Sequence, residues 1–162
     1  MEEGTVFKIY LPWIGKTVCV EKPTIGSIGP LRGTETILLV EDQEAVRELT
    51  RSLLADSGYA VLEAERPDKA VDIAQQHSGP IHLLLTDMVM PGMNGRALAE
   101  RLALIRPEMR ALYMSGYTRF THRELLDFEA PLLTKPFTRD ALASKVREVL
   151  DTNVAVKSNV DL

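Results

Sequence analysis

The run IHLLLT (81–86) is apolar at nearly every position, and it stops at Asp87 in front of a loop rich in methionine, proline and glycine, DMVMPGMNG (87–95). A strand with one face in water would alternate polar and apolar residues, so this run suits a strand buried on both faces. Working outward, TILLV (36–40), YAVLEA (59–64), RALYM (110–114) and LLT (132–134) have the same character. Helical periodicity fills the gaps: through Val46, Leu49, Leu53 and Leu54, then over 67–77, 95–105, near 119–127, and 139–150. The last of these places Leu142, Val146, Val149 and Leu150 on one stripe. Gly58 stands where the first helix must stop, Pro67 suits the first turn of the second, and Thr138 can cap the last. Five strand-helix units of this kind predict an α/β fold, a doubly wound five-stranded parallel sheet over residues 36–150.

The 162 residues leave room for one such domain and its flanks, and 45% apolar content is enough to fill its core. Between Lys22 and Glu35 the text KPTIGSIGPLRGTE carries three glycines and two prolines with no apolar period, the composition of a linker (22–35). The tail from Asp151 to Leu162 lacks a pattern and is expected to fray. A formal net charge of −4 offers no basic footprint for a phosphate backbone, so nucleic acid is not an expected partner. The single cysteine, Cys19, excludes an internal disulfide and any multi-cysteine metal site. No apolar run is long enough to cross a bilayer, and the first residues, with Glu2 and Glu3, are no basic signal region; no membrane contact and a cytoplasmic location are expected.

In open parallel sheets the working residues lie at the carboxyl ends of strands, near the point where strand order reverses. Here those ends carry Glu41-Asp42, Asp87, Ser115-Gly116 and Lys135-Pro136. Three carboxylates on one edge repel one another unless a cation intervenes. Mg²⁺ suits them, since it takes one or two carboxylates, a carbonyl and several waters. A carboxylate beside Mg²⁺, an ammonium and a hydroxyl form a set able to accept a phosphoryl group in line.

The motifs ILLVED (37–42), LLLTDMVMPGMNG (83–95), YMSGY (113–117) and LTKPF (133–137), in that order at the ends of expected strands, resemble the receiver domain of two-component response regulators over about residues 35–150. That resemblance implies a flavodoxin-like (βα)5 sheet in the order 2-1-3-4-5. It implies that Asp87 is the phosphoacceptor, that Glu41, Asp42, Asp87 and the Val89 carbonyl organise Mg²⁺, and that Ser115 and Lys135 contact phosphoryl oxygens. It also implies a cis Lys135–Pro136 bond, a turn that would hold the ammonium inward. Gly116, lacking a side chain, leaves room for the phosphoryl group. The implied partners are a histidine kinase domain or a histidine phosphotransfer protein.

Leu132 departs from the pattern, because many receivers carry an aromatic residue three positions before the lysine. The expectation is that phosphorylation is reported through the loop Ser115 to Tyr117 rather than by a rotating ring. Val89 and Tyr117 flank the path of an attacking water; both are bulky and neither is acidic or an amide, so slow hydrolysis of the acyl phosphate is expected. His77, His82 and His122 are scattered and read as surface or helix-end residues. Met88, Met90 and Met93 read as packing or partner contacts rather than metal ligands.

Rival functions fare worse. A flavin phosphate would be repelled by the acidic EDQEAV (41–46), and a haloacid-dehalogenase-type phosphatase would need a second Asp where Val89 stands. A degenerate receiver used only for binding would have lost an acid, the acceptor or the lysine. The alternatives left are a stand-alone response regulator and a non-phosphorylated binding module. Upstream, GTVFKIYLP (4–12) resembles the closing strand of the histidine-kinase ATP-binding domain, which makes 1–21 a remnant of that domain, with a local hairpin against KTVCVEK as the alternative. One linker ahead of a receiver is where a hybrid sensor kinase would place it.

Overall fold

A computed structural model describes residues 33–116 and 130–152. The elements run β1 (Thr36–Val40), α1 (Glu44–Asp56), β2 (Ala60–Ala64), α2 (Pro67–Gln76), β3 (Leu83–Asp87), α3 (Gly95–Ala103), β4 (Arg110–Gly116), β5 (Leu132–Lys135) and a last helix, α4 (Arg139–Asp151). The expectations for 1–21, for most of the 22–35 linker, for a helix near 119–127 and for the tail beyond residue 152 lie outside the described residues.

All strands pair in parallel in the order β2-β1-β3-β4-β5. The chain steps from β1 out to β2 and then back past β1 to β3, so the order reverses between β1 and β3. Alternate residues of the central strands feed two cores. Ile37, Leu39, Leu83, Leu85, Leu112 and Met114 meet Leu142 and Val146 of α4 together with Leu54 of α1. Leu38, Val40 and Leu84 meet Ala70, Val71 and Ala74 of α2 with Leu98 and Leu102 of α3. Burial on both faces accounts for the unbroken apolar runs, and each fully buried leucine contributes about 1.5–3 kcal/mol.

The helix ends form as their sequences predict. Gly58, at φ +92°, closes α1: its amide donates to Ala55 and the Tyr59 amide to Leu54, a paired bond pattern that needs a left-handed residue between. Pro67 opens α2, and the Thr138 hydroxyl accepts from the Ala141 amide at 3.2 Å to cap α4. Three strands run further than expected, β5 reaching Lys135. Asp87 is the last residue of β3 and pairs with Met114, while Ser115 and Gly116 remain in β4 because β5 pairs with them.

Gly33 to Glu35, within the expected linker, already pack on the domain. The Gly33 amide donates to Ser57 at 3.0 Å, and a Cβ on Gly33 would lie 1.9 Å from the Tyr59 ring. A Cβ on Gly58 would in turn lie 2.6 Å from the Gly33 carbonyl oxygen, so each glycine is fitted to the other. Glu35 pairs with Arg147 of α4 at 2.8 Å, and Arg147 also grips Asp151 with two nitrogens. Burial works against the Glu35 carboxylate, but Arg147 and the amides of Glu35 and Thr34 outweigh it and hold its pKa below the usual 4.5. A depressed acid stabilises the fold fully above its unfolded value and loses that contribution as pH falls through the folded value. Unfolding free energies of the wild type and Glu35→Gln from urea titrations are therefore expected to differ by a constant amount, at most about 1 kcal/mol for a partly exposed pair, above pH 4.5 and to converge below it. Convergence on the alkaline side instead would refute this assignment.

Candidate functional site

The site lies where the sheet order reverses, and each side chain is held there by its own strand end. Glu41 follows β1; its amide donates to Ala64 of β2 at 3.2 Å, and Arg47 of α1 donates to its carbonyl at 2.9 Å. Its side chain is 0% exposed, while that of its neighbour Asp42 stands in solvent. Asp87 ends β3 with its Oδ1 accepting from the Val89 amide at 3.1 Å. Lys135 ends β5, followed by a cis bond to Pro136, and its Nζ reaches Glu41 Oε2 at 2.5 Å and Asp87 Oδ2 at 2.7 Å. Ser115 is 3% exposed, with its hydroxyl bonded only loosely, at 3.4 Å, to the carbonyl of Gly116. Among the described residues, no atom beyond the chain neighbours lies within 4 Å of where a Cβ on Gly116 would be.

Glu41, Asp42 and Asp87 bring carboxylate oxygens within 4.8 Å of one another. Burial raises the Glu41 pKa, with the Asp87 charge adding to it, against the pull of Lys135. Burial alone would lower the Lys135 pKa, but bonds to Asp87 and Glu41 outweigh it, so the ammonium stays charged. With three formal negative charges and one positive, the cluster falls two positive charges short of neutrality. A divalent cation supplies that difference, and an all-oxygen donor set with one solvent-facing member suits a hard ion that keeps several waters. Glu41, Asp42 and Asp87 thus fit Mg²⁺.

The structure brings Glu41, Asp42, Asp87, Ser115, Gly116, Lys135 and Pro136 to one edge of the sheet, as their positions in the sequence predict. Leu132 lies at the far end of β5, half-buried and paired with Tyr113, and Tyr117 falls outside the described residues. Two supports escape sequence reasoning. Arg47 carries no local signal of its bond to the Glu41 carbonyl. Gly95, just after the capping Asn94, does carry one, as a glycine where helix meets site: a Cβ there would lie 2.3 Å from the Asp87 carbonyl oxygen, so α3 starts against the main chain of β3. Backbone cannot yield as a side-chain tip can, and Gly95→Ala is expected to cost about 1–3 kcal/mol of unfolding free energy. An unchanged urea midpoint would show that α3 shifts freely.

The family model for the response regulator receiver domain matches residues 37–147. The chain belongs to the receiver domain family. Among its relatives, the sensor kinase CckA of Brucella abortus (strain 2308) is 32% identical over 158 residues, covering 92% of this chain and 17% of the kinase. The response regulator receiver protein CpdR of the same organism is 32% identical over 116 residues, covering 70% of this chain and 95% of that protein. The crystal structure of the receiver domain from the hybrid histidine kinase CckA superposes with a TM-score of 0.61 at 34% identity, covering 71% of this chain and 98% of that one. This receiver is therefore a domain of two-component signalling, and the chain spans about a sixth of the length of the sensor kinase it matches. Among the described residues of the receiver, no helix is long and apolar enough to cross a membrane.

Proposed function

We propose that this receiver takes a phosphoryl group from a phosphohistidine onto Asp87, with Mg²⁺ held by Glu41, Asp42, Asp87 and the Val89 carbonyl. The observation that carries the reading is the Lys135 ammonium gripping Asp87 and Glu41 at 2.7 and 2.5 Å inside a group of three acids. An Asp87 carboxylate oxygen attacks phosphorus, the phosphorus–nitrogen bond breaks, its electron pair leaves with the imidazole, and an acyl phosphate results. The Val89 amide and Lys135 fix the two Asp87 oxygens, which sets the direction of attack before the donor arrives. The Ser115 hydroxyl, loosely bonded where it stands, turns to donate to a phosphoryl oxygen on Asp87. When bound, Mg²⁺ neutralises charge on the transferred group.

The parent chain in this reading is a hybrid sensor histidine kinase, with the phosphodonor in a kinase domain of the same chain or in a histidine phosphotransfer protein. Two observations support it. GTVFKIYLP (4–12) resembles the closing strand of a kinase ATP-binding domain. Alignment to the sensor kinase also covers 92% of the chain against 70% for CpdR, a difference too large for the short stretch after α4 to supply alone.

Incubation with acetyl phosphate and Mg²⁺ tests the acceptor chemistry by intact mass. A single phosphoryl adduct that hydroxylamine removes is expected of an acyl phosphate. No adduct from acetyl phosphate, phosphoramidate or a phosphorylated histidine kinase domain would overturn the reading.

A further inference from the structure

Position 132 lacks the ring that many receivers carry there, yet the strand register sets a ring directly beside it. Tyr113 of β4 pairs with Leu132 of β5 on one side and with Thr86 of β3 on the other. It precedes Ser115 by two residues, so both side chains leave the same face of the sheet. Leu112 and Met114 belong to the core shared with α1 and α4, which puts Tyr113 on the α2 and α3 side. The Tyr113 side chain is buried, the residue being 6% exposed, and its hydroxyl lies within electrostatic reach of Arg96 and Glu100, an ion pair at 3.3 Å on the outer surface of α3. That helix begins at Gly95, against the Asp87 main chain.

We infer that Tyr113 is the positioning residue that carries the state of the Asp87 site to the Arg96–Glu100 surface of α3, in place of the ring that β5 lacks. The inference rests on the phosphoacceptor reading and names the part that would report it. A close-packed interior passes a displacement on rather than absorbing it. A shift of Ser115 toward a group on Asp87 moves the strand one pleat away, and with it a rigid ring whose polar end lies near two surface charges. This joins the expected movement of the Ser115 loop to an inward arm that leads to α3 rather than to the edge strand.

Beryllofluoride with Mg²⁺, added to the full chain, separates the two claims. Bound fluoride is read by its own resonance, and the response of α3 by amide shifts over residues 95–101 and by the Arg96 Nε signal. The wild type is expected to show both. Tyr113→Leu is expected to keep the bound-fluoride signal while its α3 response falls to less than about half. Tyr113→Phe keeps the ring and its packing, and is expected to lose the Arg96 Nε response while the α3 amides still shift. An undiminished α3 response in Tyr113→Leu, or an undiminished Arg96 response in Tyr113→Phe, overturns the inference. Absence of bound fluoride in the wild type instead strikes the phosphoacceptor reading, and the inference falls with it.

Discussion

Asp87→Asn is expected to take up no measurable phosphoryl group from acetyl phosphate and Mg²⁺, a loss of at least about a thousandfold, because an amide oxygen offers no carboxylate nucleophile to phosphorus. The variant should nonetheless fold. The carboxamide oxygen can still accept from the Val89 amide, and the substitution removes one negative charge from a cluster that carries an excess of them. Lys135 keeps Glu41 as a partner. The decisive comparison is therefore an unchanged or raised melting temperature together with an empty mass spectrum. An adduct forming at the wild-type rate would move the acceptor to another residue.

Lys135→Ala is expected to slow phosphoryl uptake by about 10²–10³, the range found when one donor to a developing anion is removed. The same change leaves two acids at the strand ends without their ammonium, and breaking a buried pair from one side costs about 3–5 kcal/mol. Here the cost belongs at the lower end, because burial has already raised the Glu41 pKa and that side chain can take a proton. Lys135→Arg is expected to restore little, since a forked, planar guanidinium does not fit where one nitrogen bridges two carboxylates. Time courses of intact mass and urea midpoints read the two effects separately; uptake within a factor of about ten of the wild type would remove Lys135 from the transfer step.

The parts of this site that were legible in the sequence are those that sit at strand ends. A buried parallel strand is apolar along most of its length, so the polar residues that close it, as Thr86-Asp87 close β3 and Thr134-Lys135 close β5, mark the edge of the sheet. That logic reached Glu41, Asp87, Ser115 and Lys135 without coordinates. The illegible parts depend on which residues face one another across long stretches of chain. Arg47 bonding to the Glu41 carbonyl, Gly95 against the Asp87 carbonyl and Tyr113 beside Leu132 are set by helix placement and strand register. Composition also misjudged Gly33. A glycine near two prolines reads as slack, yet here the missing side chain is what admits the Tyr59 ring.

That fit between Gly33, Gly58 and Tyr59, reinforced by Glu35 on Arg147, bears on where the domain can be joined to another protein. A graft that begins at Thr36 would carry all five strands and every acid of the site. It would also leave behind the three residues that fasten the entry of β1 to the α1–β2 turn and to the final helix. The portable unit starts at Gly33, and a chimera joined there inherits its attachment point along with its chemistry.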